Sequence, residues 1–104
     1  MNSCNFIGRL VEDPKQYGEG DNVVSTFKLA VNRAYTNSEG EREADFPRFV
    51  AKGKLSHLTQ KSLSKGTMIG VESHFQTRKV EVDGETKYYE EFVIERYTFV
   101  EKKR

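Results

Sequence analysis

Aromatic and basic side chains alternate with polar ones along residues 27–54, and these types suit the binding of an unpaired nucleic-acid strand. Tyr35 and Phe46 stand close in sequence to Arg33, Arg48 and Lys52. A flat ring stacks on an exposed base, while a cation follows the phosphates. Because both tasks need exposed groups, the residue types predict a binding surface.

Two predicted strands would position these side chains. Phe27, Leu29 and Val31 alternate with polar neighbours, which predicts a half-buried second strand over about residues 23–34. A polar turn segment follows, and a third strand is predicted over about residues 43–51. Pro47 falls inside that strand and cannot donate to the ladder, so we expect an open edge or a bulge there.

The remaining pattern completes a small all-β domain. A first strand is predicted over residues 5–11 and a loop over residues 17–22, while helical spacing appears over residues 55–63 with Gly66 as a candidate C-cap. A fourth strand starts near Thr67, and Asp83-Gly84 predicts a tight turn within a long 78–89 hairpin. Three strands, one short helix and two strands form the layout of a five-stranded OB barrel.

Several short motifs resemble one family in the same order along the chain. They are Ile7-Gly8-Arg9-Leu10, Asp13-Pro14, Leu29-Ala30-Val31-Asn32-Arg33, Gly40-Glu41-Arg42-Glu43-Ala44-Asp45-Phe46, Gly53-Lys54-Leu55, Lys65-Gly66 and Gln76-Thr77-Arg78-Lys79. From about residue 5 to residue 101, the sequence resembles bacterial and phage single-stranded DNA-binding proteins. The resemblance implies an OB barrel that is usually assembled as a homotetramer, although a dimer is also possible.

The resemblance also implies stacking roles for Tyr35 and Phe46. The sequence departs from the family where Lys52 and Val80 replace usual aromatics, and it contains no tryptophan. We therefore expect weaker binding and a steeper salt dependence than in a fully aromatic relative. Tyr88 and Tyr89 would point to opposite faces of the hairpin, and we predict that Tyr88 stacks on DNA.

Seven cations are candidate phosphate contacts. Arg33 and Arg48 rank first because they lie on the same predicted ribbon as the two stacking rings. The full set is Arg9, Arg33, Arg48, Lys52, Lys54, Arg78 and Lys79. Along the chain, residues 48–79 carry seven bases against one acid, and residues 81–101 carry seven acids against two bases. We expect this segregation to make one face positive although the net charge is +1.

Length and composition predict one domain spanning residues 1–104, with 36% hydrophobic and 32% charged residues. No apolar run is long enough to span a membrane, and the N-terminus lacks a secretory signal pattern. The lone Cys4 cannot form an internal disulfide and is typical of a reducing compartment. These features favour a cytoplasmic protein, of bacterial or phage origin.

Catalytic patterns are weak, so we expect no enzyme activity, no cofactor and no metal. His57 and His74 lack metal-ligand spacing, and no glycine-rich phosphate loop precedes a helix. An OB-fold nuclease remains an alternative that would need clustered carboxylates beside a basic clamp. The candidate acids, Glu90-Glu91 with Glu41 and Glu43, are expected to lie away from the basic half.

The sequence therefore predicts sequence-independent coating and protection of single-stranded DNA in replication, recombination and repair. The alternative is a dimeric OB-fold assembly factor of the primosome type, which bridges single-stranded DNA and replication proteins. Cold-shock-like RNA binding also stays open, because stacking tolerates ribose. Cellular family members end in an acidic peptide that recruits enzymes, whereas this sequence ends Lys102-Lys103-Arg104. We expect a trimmed or short form, so partners that bind such a tail are doubtful.

Overall fold

The computed structural model describes residues 1–101 and contains seven strands and one α-helix within them. The strands are β1 (Cys4–Leu10), β2 (Lys15–Tyr17), β3 (Val24–Thr36), β4 (Arg42–Asp45), β5 (Arg48–Lys52), β6 (Met68–Val82) and β7 (Glu85–Phe99). The helix α1 (Lys54–Ser62) connects β5 to β6. The basic end at residues 102–104, on which the expectation about the tail rests, lies outside the described residues.

Five of the strands close into a barrel. The order is β1-β6-β7-β5-β3, and β3 returns to β1 through the pairs Arg9–Ala30 and Leu10–Leu29. All of these pairings are antiparallel except β5 with β7, which run parallel at Phe49–Phe92 and Val50–Val93. The closed barrel with one helix confirms the predicted fold class.

The barrel interior is filled by alternate residues of each strand, as the period-2 pattern predicts. Phe27, Leu29, Phe49 and Ile69 are at most 3% exposed. The Phe49 ring lies at the centre, with centroids 5.5 Å from Phe6, 5.7 Å from Phe27 and 5.8 Å from Phe92. Removing so large a buried ring typically costs about 3–5 kcal/mol, so Phe49 is a main determinant of stability.

Gly8 allows β1 and β3 to approach where the barrel closes. A Cβ atom added at this buried position would lie 2.5 Å from the Ala30 carbonyl oxygen and 3.1 Å from Val31 Cγ2. Real Cβ atoms do not come so close to a backbone oxygen, and the neighbouring strand cannot move without opening the barrel. The absence of a side chain at Gly8 is therefore required by the close approach of the two backbones.

The helix is attached to the barrel by a buried polar network. Ser25 and Ser56 are both fully buried, and their hydroxyls lie 2.6 Å apart, while Gln60 Nε2 donates to Ser25 Oγ at 3.1 Å. The helix ends at Ser62, where the Leu63 N–H donates to the Thr59 carbonyl. The prediction of Gly66 as C-cap is wrong, because Gly66 lies in the later turn and donates to the Leu10 carbonyl.

Turn residues explain the break between β4 and β5 and the tight turn between β6 and β7. The expected third strand is split into β4 and β5 at Phe46-Pro47, where proline interrupts the ladder as predicted. Asp83 and Gly84 have φ of 50° and 78°, which matches the tight hairpin turn expected between β6 and β7. The short β2 was not predicted, because three residues show no usable period and Lys15–Tyr17 forms a strand by pairing with β3.

Candidate nucleic-acid interface

A groove runs over the outer face of the barrel, where side chains of four barrel strands and β2 meet. The backbone register sets Val50 opposite Thr26 and Lys52 opposite Val24, so their outward side chains form one floor. We call this surface the outer groove; its volume is about 410 Å³, and its lining includes Tyr17, Arg48, Lys52, Gln76, Arg78 and Glu91. Three cations face one carboxylate here, so the groove is net positive.

Three predicted phosphate contacts, Arg48, Lys52 and Arg78, therefore meet in the outer groove, although they come from β5 and β6. Lys52 is exposed, and the Arg48 and Arg78 side chains are 40% and 54% exposed. The Arg78 guanidinium also lies 5.7 Å from the ring centroid of Tyr89. Exposed guanidinium groups held by packing are well suited to bind phosphate oxygens.

A two-stranded ribbon extends from the barrel beside β5 and carries the two predicted stacking rings. We call residues 31–36 of β3, β4 and the adjoining Phe46 the β3–β4 ribbon; its pairs include Val31–Asp45 and Thr36–Arg42. Tyr35 is 71% exposed and Phe46 is 57% exposed. Strand geometry separates the two positions by about 13 Å along the ribbon, so the rings can contact different bases.

Arg33 is engaged within the ribbon. Its Nε and Nη2 donate to the two carboxylate oxygens of Asp45 at 3.1 and 2.9 Å, and Nη1 donates to Glu43 Oε2 at 2.7 Å. These hydrogen bonds lower the pKa of Asp45 below its ordinary value and raise the pKa of Arg33. Arg33 thus braces β3 against β4, and fewer of its donors are available for a phosphate than the sequence indicates.

Three other predicted phosphate contacts lie outside the lining of the outer groove. Arg9 on β1 forms an ion pair with Glu101 and donates to the Gly66 carbonyl at 3.0 Å. Lys54 is exposed at the start of α1. Lys79 is exposed and pairs with Tyr88 across the hairpin, next to the Arg78–Tyr89 pair. The sequence did not indicate this separation, because it depends on strand register.

The hairpin register also separates the two adjacent tyrosines. Tyr89 lies opposite Arg78 and shares its face, whereas Tyr88 lies opposite Lys79 on the other face. Tyr88 is 67% exposed and Tyr89 is 44% exposed. Of the two, Tyr89 lies on the face of Arg78, which lines the outer groove, and the stacking of Tyr88 on DNA stays a prediction.

The expectation that Glu91 lies away from the basic half is wrong. Glu91 is 4% exposed and lies in the outer groove, 3.8 Å from Arg48 Nη1 and 3.9 Å from Arg78 Nε. Pairing of β7 with β5 and β6 brings this acid to bases that are distant in sequence. Tyr17 and Gln76 are two further lining residues that the sequence analysis did not assign to the site. Tyr17 was assigned to a loop, although its place two residues after Lys15 is itself an aromatic–basic signal.

Within residues 1–101, no group of three or more His, Cys, Asp or Glu side chains is arranged to hold a metal ion. The same residues contain no helix with the length and apolar character needed to cross a lipid bilayer.

Comparisons with known proteins agree on one family. Residues 1–100 match the model of the Single-strand binding protein family. The chain is 41% identical to Single-stranded DNA-binding protein 2 of Staphylococcus aureus, over 99% of this chain and 74% of that protein. It is 43% identical to Single-stranded DNA-binding protein 2 of Listeria innocua, over 97% of this chain and 65% of that protein.

A solved structure resembles the whole barrel. The Plasmodium falciparum SSB complex with ssDNA superimposes with a TM-score of 0.79 at 26% identity, covering 97% of this chain and 96% of that one. The relatives named above are longer than this chain, which spans about two thirds to three quarters of their length.

Proposed function

The chain belongs to the single-strand binding protein family, and we propose that it binds single-stranded DNA along the β3–β4 ribbon and the outer groove without reading sequence. The observation that carries this assignment is the exposure of Tyr35 and Phe46, at 71% and 57%, on a ribbon that leaves the barrel beside the cationic groove. Exposed rings beside exposed cations are the groups that a strand with unpaired bases would contact.

The proposed path combines two kinds of contact. Tyr35 and Phe46 would stack on bases, each contributing about 1–3 kcal/mol whatever the base, because every base has a π face. Arg48, Lys52 and Arg78 would bind the phosphates between them, which ties affinity to salt concentration. Neither contact distinguishes one base from another, so the function is to cover a strand.

Coating a strand would protect it during replication, recombination and repair. This role needs no reaction chemistry, and we propose a non-enzymatic protein that works as a homo-oligomer, with the tetramer favoured over the dimer. The assignment of residues 1–104 to one binding domain belongs to the same proposal.

The test measures the oligomeric state and the number of nucleotides covered together. Light scattering of the chain, alone and with oligo-dT of increasing length, reports the oligomer and the number of nucleotides it covers. A tetramer with a long covered site supports coating, whereas a dimer with a short site favours the primosome-type bridging function. No binding to oligo-dT at low salt, where a phosphate-dependent binder is tightest, would overturn the proposal.

Two competitors define the ligand. Duplex DNA of the same length should compete poorly, because its bases are not available for stacking. Poly-U against poly-dT at fixed salt separates DNA from RNA preference. Stronger competition by poly-U would redirect the assignment to RNA.

A further inference from the structure

Glu91 is a buried carboxylate in the middle of the proposed binding surface. It is 4% exposed, and Gln76 Nε2 donates to its Oε1 at 2.8 Å. Its other oxygen, Oε2, faces two guanidinium groups, with Arg48 Nη1 at 3.8 Å and Arg78 Nε at 3.9 Å. Burying a carboxylate is unfavourable unless it is paired, so this arrangement needs both arginines nearby.

The two arginines need the carboxylate as well. They come from β5 and β6, which are separated in the barrel by β7, and both approach within 4 Å of the same oxygen. Two like charges brought so close repel each other, and an anion between them offsets the repulsion. Without it, the flexible side chains would move apart.

The contacts to Glu91 leave the arginines available to a ligand. Separations of 3.8 and 3.9 Å are longer than hydrogen bonds, so Glu91 attracts the guanidinium groups without using their N–H donors. Their side chains remain 40% and 54% exposed on the groove side. A phosphate offers several acceptor oxygens and is bound best by donors that converge on it.

We propose that Glu91 is a positioning residue, which holds Arg48 and Arg78 side by side so that together they bind one phosphate of the DNA strand. This inference rests on the proposed function. It gives an acidic side chain a positive role in binding a polyanion, with Gln76 fixing one carboxylate oxygen and leaving the other for the arginines.

The direction in which one substitution changes the affinity for DNA separates this role from a general charge effect. Glu91→Gln keeps the side-chain shape and retains an oxygen for Gln76, but removes the negative charge. If only net charge mattered, the more positive groove would bind DNA more tightly. Loss of positioning predicts the opposite, a loss of about fivefold in affinity, within the range by which contacting residues couple.

The matched control is Glu90→Gln, which makes the same charge change at an exposed position outside the groove lining. Binding of fluorescein-labelled oligo-dT is followed by anisotropy at fixed salt, and circular dichroism checks that each variant is folded. We expect Glu90→Gln to bind as well as the unchanged chain or slightly better. Equal or tighter binding by folded Glu91→Gln would overturn the role of Glu91.

A double-mutant cycle tests the arginine pair without changing Glu91. If Arg48 and Arg78 share one phosphate, Arg48→Met and Arg78→Met together should lose little more affinity than either alone. Fully additive losses would overturn the shared site. This test does not depend on the folding of Glu91→Gln, because Glu91 is unchanged in it. An unchanged chain that does not bind oligo-dT would instead overturn the proposed function, so the two failures are distinguishable.

Discussion

Arg33 on β3 and Asp45 on β4 are joined across the β3–β4 ribbon by two hydrogen bonds, from Nε and Nη2 to the two carboxylate oxygens at 3.1 and 2.9 Å. A fork of this kind fixes the relative orientation of two strands more tightly than a single contact. Because Tyr35 and Phe46 lie just beyond the pair on each strand, the fork also sets the positions of the two rings.

Arg33→Gln should therefore raise the pKa of Asp45 toward its ordinary value, because the hydrogen bonds from Arg33 are the main cause of its lowering. A lowered pKa in the folded state stabilises the fold above the ordinary pKa of Asp, and this contribution disappears as pH falls through the lowered value. Carboxylate NMR titration measures the shift. The pKa of Glu72, which Arg96 lowers, is the internal control and should be the same in Arg33→Gln.

Arg33→Gln should also change the salt dependence of DNA binding less than Arg48→Gln. The Arg33 donors are already directed at Asp45 and Glu43, so this residue neutralises phosphate poorly. Each lost phosphate contact reduces the slope of log K against log salt by about 0.7 for a single strand. A full reduction in the Arg33 variant, measured by anisotropy titration between low and high salt, would contradict the bracing role.

Removal of either exposed ring should weaken binding strongly at constant charge. We expect Tyr35→Ala and Phe46→Ala each to lose about 1–3 kcal/mol, roughly 5- to 150-fold in Kd, with little change in salt slope. Leu58→Ala is the control, because Leu58 is 49% exposed on α1 outside the lining of the outer groove. If Leu58→Ala loses affinity while Tyr35→Ala and Phe46→Ala do not, the contact surface lies elsewhere.

Lys52→Phe replaces a groove cation with an aromatic ring. The variant should show a salt slope that is smaller by about 0.7, since one phosphate contact is lost, while the ring restores affinity at high salt by stacking. Lys61→Phe makes the same exchange on the exposed surface of α1 and should leave the slope unchanged. Equal salt slopes in the unchanged chain, Lys52→Phe and Lys61→Phe would show that Lys52 does not contact phosphate.

Gly8→Ala should destabilise the barrel by about 1–3 kcal/mol, because the added methyl meets the Ala30 carbonyl oxygen at 2.5 Å and the backbone must shift. Gly70→Ala is the matched strand control. There the nearest atom, Ile7 Cγ1, lies at an ordinary 3.6 Å, so the free energy of unfolding should change by less than about 0.5 kcal/mol. Urea unfolding measures the free energy of unfolding of both variants. Equal values for Gly8→Ala and Gly70→Ala would refute the close contact.

Local patterns were sufficient for much of the fold. Alternation around Phe27 and Leu29 indicated an inward face, Asp83-Gly84 indicated the hairpin, and the ordered motifs indicated the family. The barrel and the family are confirmed, together with the family's function of binding single-stranded DNA. The stacking and phosphate residues remain predictions, although Tyr35 and Phe46 meet the condition of exposure.

The details of the site depended on pairing between distant strands. Counting charges along the chain separated Glu91 from Arg48, yet the parallel pairing of β5 with β7 places them in one groove. Likewise, Arg33 looked free until the register of β3 and β4 set Asp45 beside it. Neither register follows from local periodicity, because each is fixed by how the whole barrel closes.

The strand β7 has a consequence for how the chain acquires its shape during synthesis. It is the last of the barrel strands along the chain, and it pairs with both β5 and β6, so it forms two of the five seams of the barrel. Until β7 has been synthesised, Phe49 lacks its contact with Phe92, and β5 and β6 each have one unpaired edge. The barrel therefore cannot close until all five of its strands have been synthesised, and the unpaired strand edges are open to aggregation until then.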